Sequence, residues 1–339
     1  MESNSGALKG RVLIIDEEYN QHLAETRIIK ENFPEFEVHE LGYSKDKVLE
    51  FAENVVGILA QIYFPIDREL LSRLPKLRAI SVYGGGFNNV DVQYATQLGI
   101  KVSRVPDYSN HEVAEHVIWS ILYFAKKPFY LSQRGRQGFW GARAVSDEPI
   151  DTWDPERMEN LPRRVHGSTL LIIGYGKIGK TIASKANGLG MNVLFYDPYV
   201  KEGNAKAVKV ELEEGLRKAD YVVVSAPLTQ TSKNLINYST LKLMKKTAYL
   251  INVGRGGVVN EADLIKALNE KIIRGASLDV FENEPLPQDS PFYTMPNVVV
   301  TPHAVYISDK SIKDLKVTAA TNLVKLIKGE SVPGCVNCQ

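Results

Sequence analysis

Ser168-Thr169-Leu170-Leu171-Ile172-Ile173-Gly174-Tyr175-Gly176-Lys177-Ile178-Gly179 runs without a linker into the helix-compatible Lys180-Thr181-Ile182-Ala183-Ser184-Lys185-Ala186. An apolar run of strand length ends at Gly174, so the three glycines occupy a strand-to-helix turn. Gly174 permits the tight turn, Gly176 lets the backbone approach a pyrophosphate, and Gly179 lets the helix pack against the strand. The N–H groups of Lys177 and Ile178 would receive the phosphates at the positive end of that helix. Glycines also gather at ordinary turns, so the next strand matters. The apolar run Asn192 to Tyr196 ends at Asp197, about 20 residues on, where a carboxylate accepts hydrogen bonds from an adenosine ribose. That carboxylate would repel a 2′-phosphate and no Arg follows it, so the expected cofactor is NAD and not NADP.

Composition narrows the partners. The 339 residues are 44% hydrophobic, enough for two domains with separate cores. The net charge is +1, with Lys and Arg spread along the chain, which argues against nucleic acid and membrane surfaces and for a small molecule. No apolar stretch is long enough to span a bilayer, and Met1 to Gly10 is polar, so a cytoplasmic protein is expected. Cys335 and Cys338, the only cysteines, could form a redox pair or half of a zinc site. No other paired His or Cys motif completes a zinc site, and redox pairs usually open a helix, so a plain tail without a metal is expected.

Three short apolar runs, Arg11 to Asp16, Val56 to Gln61 and Ala79 to Tyr83, alternate with helix-compatible segments, the pattern of a βαβ unit. Helices are predicted over Asp67 to Leu74 and Val92 to Leu98, followed by a strand over Lys101 to Val105. The loop Tyr83-Gly84-Gly85-Gly86-Phe87-Asn88-Asn89-Val90-Asp91 leaves the carboxyl end of a strand with backbone N–H groups that could close on a carboxylate. Ser109-Asn110-His111-Glu112 has capping-box spacing and opens a helix to about Lys126 that is apolar over most of its circumference. His116 on that helix reads as a core or interface histidine. From Pro128 to Arg164 no periodicity survives, and a long connection is expected, with Trp140 and Trp153 on it. Four more strands, Tyr221 to Ser225, Ala248 to Val253, Ala276 to Val280 and Asn297 to Val300, bring the second sheet to six. A helix capped by Asn260 and a last helix from about Ser308 to Lys328 complete the reading.

Three polar residues follow late strands of this second sheet: Arg255 in Asn-Val-Gly-Arg-Gly-Gly, Glu284 in Asp-Val-Phe-Glu-Asn-Glu-Pro, and His303 in Thr-Pro-His-Ala. Strands of one parallel sheet put their carboxyl ends on one edge, so the three should converge there. With these motifs, the Gly-Gly-Gly-Phe-Asn-Asn-Val-Asp loop, Val-Ala-Glu-His and Ala226-Pro227-Leu228-Thr229-Gln230-Thr231, the chain resembles the D-isomer-specific 2-hydroxyacid dehydrogenases over nearly its whole length. The resemblance implies that Arg255 holds the carboxylate and keto oxygen of a 2-oxo acid, that His303 is the proton donor, and that Glu284 orients it. It implies carboxylate binding at the amides of Gly85 and Gly86, and cofactor contacts at Ser225, Pro227, Thr231, Val253 and Asp279.

The implied fold is α/β, two doubly wound parallel-sheet domains of Rossmann-like and flavodoxin-like type. A discontinuous substrate domain of residues 1–110 and 304–339 would carry an inserted NAD-binding domain, 111–303. The family is usually dimeric through the helix that here covers 111–126, which agrees with its apolar circumference. The expected activity is NAD-dependent interconversion of a 2-oxo acid and a D-2-hydroxy acid. Tyr196-Asp197-Pro198-Tyr199 and the closing Gly-Glu-Ser-Val-Pro-Gly-Cys-Val-Asn also look like the C-terminal-binding-protein corepressor branch. An NADH-sensing binding protein is therefore one alternative reading, and, within the enzymes, a 3-phosphoglycerate dehydrogenase is another.

Overall fold

The computed structural model describes residues 10–19, 21–147, 161–203 and 206–338, which fall into two compact units. The first is residues 10–108 with 308–338, the second 109–307. No helix among the described residues is long and apolar enough to cross a membrane.

The first unit is built on a five-stranded parallel sheet: β1 (Arg11–Ile15), β2 (Glu37–Leu41), β3 (Val55–Ala60), β4 (Ala79–Val82) and β5 (Lys101–Arg104), in the order β2-β1-β3-β4-β5. This is the doubly wound order of flavodoxin-like sheets. Central strands are buried on both faces, which is why they read as unbroken apolar runs. Along β1, Leu13 and Ile15 join one core cluster while Val12 and Ile14 join another, because alternate side chains leave opposite faces of the sheet. β2 was not anticipated from the sequence. It is an edge strand with no buried residue, so it carries no apolar signature. Asp67 and Asp91 cap the helices Arg68–Ser72 and Val92–Gln97 by accepting from the amides of Leu70 and Tyr94.

The C-terminal segment corrects the expectation of a plain tail. Cys335 and Cys338 are joined in a disulfide, and Cys335 forms an antiparallel bridge with Ser103 of β5. A short segment without periodicity gives no sign in sequence of lying along an open strand edge, where unpaired N–H and C=O groups recruit it.

The second unit holds seven parallel strands, not six: β6 (Thr169–Ile173), β7 (Asn192–Tyr196), β8 (Ala207–Lys209), β9 (Tyr221–Val224), β10 (Tyr249–Asn252), β11 (Gly275–Leu278) and β12 (Val298–Val300). The missed strand, β8, is a three-residue edge strand without a buried residue. The order β12-β11-β10-β9-β6-β7-β8 reverses direction between β6 and β9, and such a switch point is where open α/β sheets bind ligands. Two clusters cover the faces. One contains Leu171, Ile173 and the helix Glu261–Asn269, the other Leu170, Ile172 and the helices Asn110–Lys126 and Lys177–Gly188.

Two local readings fail in this unit. The helix Asn110–Lys126 forms, but Ser109 makes no side-chain cap bond. Its ψ of 20° is far from the extended conformation in which a cap hydroxyl reaches the amides of the first turn. The expected connection after Pro128 begins with a helix, Pro128–Arg136, where proline at the first position suits the missing donor. Trp140 is exposed, and Trp153 lies outside the described residues.

Candidate active site

All seven strands of the second sheet are parallel, so Gly174, Asp197, Ser225, Val253, Asp279 and His303 all leave strands at the same edge. Gly174 takes a φ of +90°, and a Cβ there would stand 2.7 Å from the Ala226 backbone. A Cβ on Gly179 would be 2.3 Å from the Gly174 carbonyl oxygen, so helix and turn close together only without one. Gly176, the residue before the Lys177–Gly188 helix, faces open space within 4 Å of its would-be Cβ. Lys177 and Ile178 open that helix at its positive end.

Asp197 is tied into this turn. Its Oδ2 accepts from the Tyr175 amide at 2.8 Å, and its Oδ1 from the amides of Tyr199 and Val200 at 2.8 and 3.2 Å. Ser225 donates through Oγ to the Gly174 carbonyl at 2.8 Å, joining the two strands at the switch point. The Pro227 carbonyl accepts from Ser232 Oγ, Thr231 Oγ1 lies 3.1 Å from Thr229 Oγ1, and the Val253 amide donates to Val224 in the ladder. An open cradle beside a helix start, with a carboxylate at the end of the next strand, fits a dinucleotide.

Further along the edge, Glu284 Oε2 lies 2.6 Å from His303 Nδ1. The two side chains keep 24% and 21% of their accessible surface, so the pair is shielded yet reachable. Burial pushes the Glu284 carboxyl up, but hydrogen bonds from His303 and the Phe281 amide, with the charges of His303 and Arg255, hold it below the ordinary carboxylate range. Arg255 therefore acts electrostatically on the same carboxylate. Its guanidinium donates through Nη1 to the Gly254 carbonyl at 2.8 Å.

The supporting residues were less visible in sequence. Asn252, 1% exposed, accepts from the Gly254 amide and donates to the Arg255 carbonyl, bracketing the turn from which Arg255 projects. Its place in the Asn-Val-Gly-Arg motif was the available signal. Asp279, also 1% exposed, organises the turn of His303. Its carbonyl accepts from the His303 amide at 2.9 Å, and its Oδ1 accepts from Thr301 Oγ1 and the Ala304 amide at 2.8 and 3.0 Å. Burial raises the Asp279 carboxyl above its ordinary value in spite of these bonds. The framework holds His303 at a φ of +50°, a conformation that costs a non-glycine residue of order 1–3 kcal/mol and is common at functional sites.

Gly85 and Gly86 belong to the first unit. Gly85 is exposed, its would-be Cβ meets nothing within 4 Å, and its carbonyl accepts from Arg104 Nη1 at 2.8 Å. His116 carries no comparable machinery. Burial pulls its pKa down to about 4, and its ring packs 5.3 Å from that of Trp119.

Known proteins of similar sequence and fold give the family. The profile described as "D-isomer specific 2-hydroxyacid dehydrogenase, NAD binding domain" matches residues 118–305. A glyoxylate reductase of Pyrococcus furiosus is 35% identical, the match covering 92% of this chain and 94% of that protein. A D-3-phosphoglycerate dehydrogenase of Methanocaldococcus jannaschii is 32% identical over 87% of this chain but only 54% of that protein. A crystal structure of a Thermus thermophilus protein superposes with a TM-score of 0.82 at 30% identity, covering 96% of this chain and 99% of that one. The chain belongs to the D-isomer specific 2-hydroxyacid dehydrogenase family and is an NAD-dependent oxidoreductase.

A direct check of the cofactor end uses Asp197. NADH should support faster turnover than NADPH, and both Asp197→Asn and Asp197→Ala should narrow the ratio of kcat/KM values by at least about tenfold, since a carboxylate facing a 2′-phosphate costs a few kcal/mol. Asn keeps an acceptor for the Tyr175 amide, so it separates the charge effect from loss of the turn. Equal use of both cofactors by the parent would contradict the assignment.

Proposed function

We propose that this enzyme reduces a small 2-oxo acid of the glyoxylate type to its D-2-hydroxy acid, with Arg255 and the amides of Gly85 and Gly86 holding the carboxylate and His303 supplying the proton. The observation that carries the reading is the His303–Glu284 pair at 2.6 Å, within the field of Arg255 and on the strand edge that holds the glycine turn. Bound NADH supplies the hydride to C2. Nδ1 is engaged by Glu284, so Nε2 is the nitrogen that faces a substrate and gives its proton to the developing alkoxide. Arg255 stabilises the negative charge on that oxygen and fixes the carboxylate in plane. In the reverse direction neutral His303 accepts the proton. The chain is further proposed to act as a homodimer through the helix spanning 111–126, whose Trp119 remains 42% exposed.

The test is a panel of glyoxylate, pyruvate, hydroxypyruvate, phenylpyruvate and branched 2-oxo acids with NADH, and D-2-hydroxy acids including 3-phosphoglycerate with NAD. Turnover of the small 2-oxo acids is expected. Tight NADH binding without turnover of any of them would return the chain to the sensor reading.

The pair also sets a pH dependence. The folded-state value of Glu284 lies below its unfolded one, so its contribution is complete above the ordinary carboxylate range and is lost as pH falls through the folded value. In Glu284→Gln the acid-side loss should disappear, because no carboxylate then titrates at this position. An acid-side loss that stays in place would show that a group other than Glu284 sets it.

A further inference from the structure

The Cys335–Cys338 disulfide takes no part in the reaction described above. Its surroundings lead to the glycine loop in a few steps, all within the first unit. The Arg104 amide donates to the Gly334 carbonyl at 3.0 Å and the Val336 amide to the Val102 carbonyl at 2.9 Å. Between them the Asn337 side chain stands in for a peptide group. Its Oδ1 accepts from the Val102 amide at 2.8 Å, and its Nδ2 donates to the Ile100 carbonyl and to Thr96 Oγ1 at 2.8 and 2.9 Å. Gly334 approaches so closely that a Cβ there would lie 1.9 Å from the Arg104 carbonyl oxygen.

The strand edge held in this way grips the loop. The Val105 amide donates to the Gly84 carbonyl at 2.8 Å, Arg104 Nη1 donates to the Gly85 carbonyl at 2.8 Å, and the Arg104 guanidinium lies 5.7 Å from the centroid of the Phe87 ring. The disulfide closes the turn that presents Asn337, and a covalent closure removes the alternative conformations open to the segment. Both cysteines are half-buried, so a thiolate can reach them.

We propose that Cys335 and Cys338 form a thiol–disulfide exchange site whose redox state sets how firmly residues 84–87 are held, and through them the affinity for the carboxylate of the 2-oxo acid. The affinity effect rests on the substrate-binding reading of Gly85 and Gly86 given above. The reaction partner is a dithiol. One of its thiolates attacks a sulfur of the disulfide, a mixed disulfide forms, and the other cysteine leaves as a thiolate. The second thiol of the dithiol resolves the mixed disulfide, so two electrons and two protons pass to the cysteines and the dithiol becomes a cyclic disulfide.

The chain contains only these two cysteines, so thiol titration reads the site directly. The full-length enzyme should titrate without thiols when oxidised and with two after dithiothreitol. Reduction should raise the KM of the accepted 2-oxo acid roughly five- to tenfold, the lower part of the usual range for coupled sites. Oxidised dithiothreitol should restore it. The Kd of NADH should not change, since Gly176 and Asp197 belong to the other unit. Cys335→Ser and Cys338→Ser should show the raised KM and no response to dithiothreitol. Amide exchange over residues 84–87 and 101–105 should quicken on reduction. Unchanged KM and exchange with two thiols titrated would overturn the proposal, as would two free thiols that oxidised dithiothreitol cannot close. If the enzyme accepts no 2-oxo acid, the substrate reading fails by itself and amide exchange alone decides the site: quickened exchange over 84–87 supports it, and unchanged exchange overturns it.

Discussion

His303→Ala should lower kcat for 2-oxo acid reduction by roughly two to four orders of magnitude, the usual contribution of a positioned general acid. The size of the effect follows from the absence of a substitute. Glu284 is held below the ordinary carboxylate range, so near neutral pH it carries no proton to give, and Asp279 is buried and committed to Thr301 and Ala304. NADH affinity should survive, because Gly176 and Asp197 follow β6 and β7, which are remote in the sheet order from β12. Steady-state kinetics across pH and NADH titration by fluorescence check both halves. A variant that retains more than about a tenth of parental kcat would show that another group delivers the proton.

Substitution of Arg255 should be nearly as damaging, and its two replacements should differ in an informative way. Loss of a donor aimed at developing negative charge costs roughly 10²–10³ in kcat. Arg255→Lys keeps the charge but not the planar fork, so it should raise the KM of the 2-oxo acid and lower kcat while leaving the pH profile in place. Arg255→Met also removes the charge that helps depress Glu284. The Glu284 value should then rise, and the acid limb of reduction should move to higher pH. Identical pH profiles in the two variants would mean that Arg255 does not act on the His303–Glu284 pair, and loss of NADH affinity in Arg255→Lys would move Arg255 to the cofactor end.

The site residues differ in how far local sequence specified them. The glycine turn was readable because each of its constraints is local. Gly174 needs a positive φ, Gly179 a close contact within five residues, and the flanking runs declare strand and helix by their own periodicity. The buried strands of both sheets were readable for a related reason, since burial on two faces leaves an uninterrupted apolar run. β2 and β8 were not, because an edge strand with polar, half-exposed residues is held by backbone bonds that any side chain permits. Ser109-Asn110-His111-Glu112 had the right residues for a capping box, but the backbone at Ser109 turned them away from it.

What the sequence by itself determined was the class of strand, turn and helix at each motif, the acidic residue that ends β7, and the presence of Arg255, Glu284 and His303 after successive strands. Tertiary structure alone decided the rest. The orders β2-β1-β3-β4-β5 and β12-β11-β10-β9-β6-β7-β8 depend on which long-range pairings bury the most surface. The 2.6 Å contact of His303 with Glu284 depends on Asp279 bending the chain after β12 into a left-handed turn. The pairing of the C-terminal segment with β5 depends on an open strand edge formed by residues far away in the chain. Such contacts arise only when distant segments are brought together, because their energy comes from burial and pairing across the fold and not from the preferences of neighbouring residues.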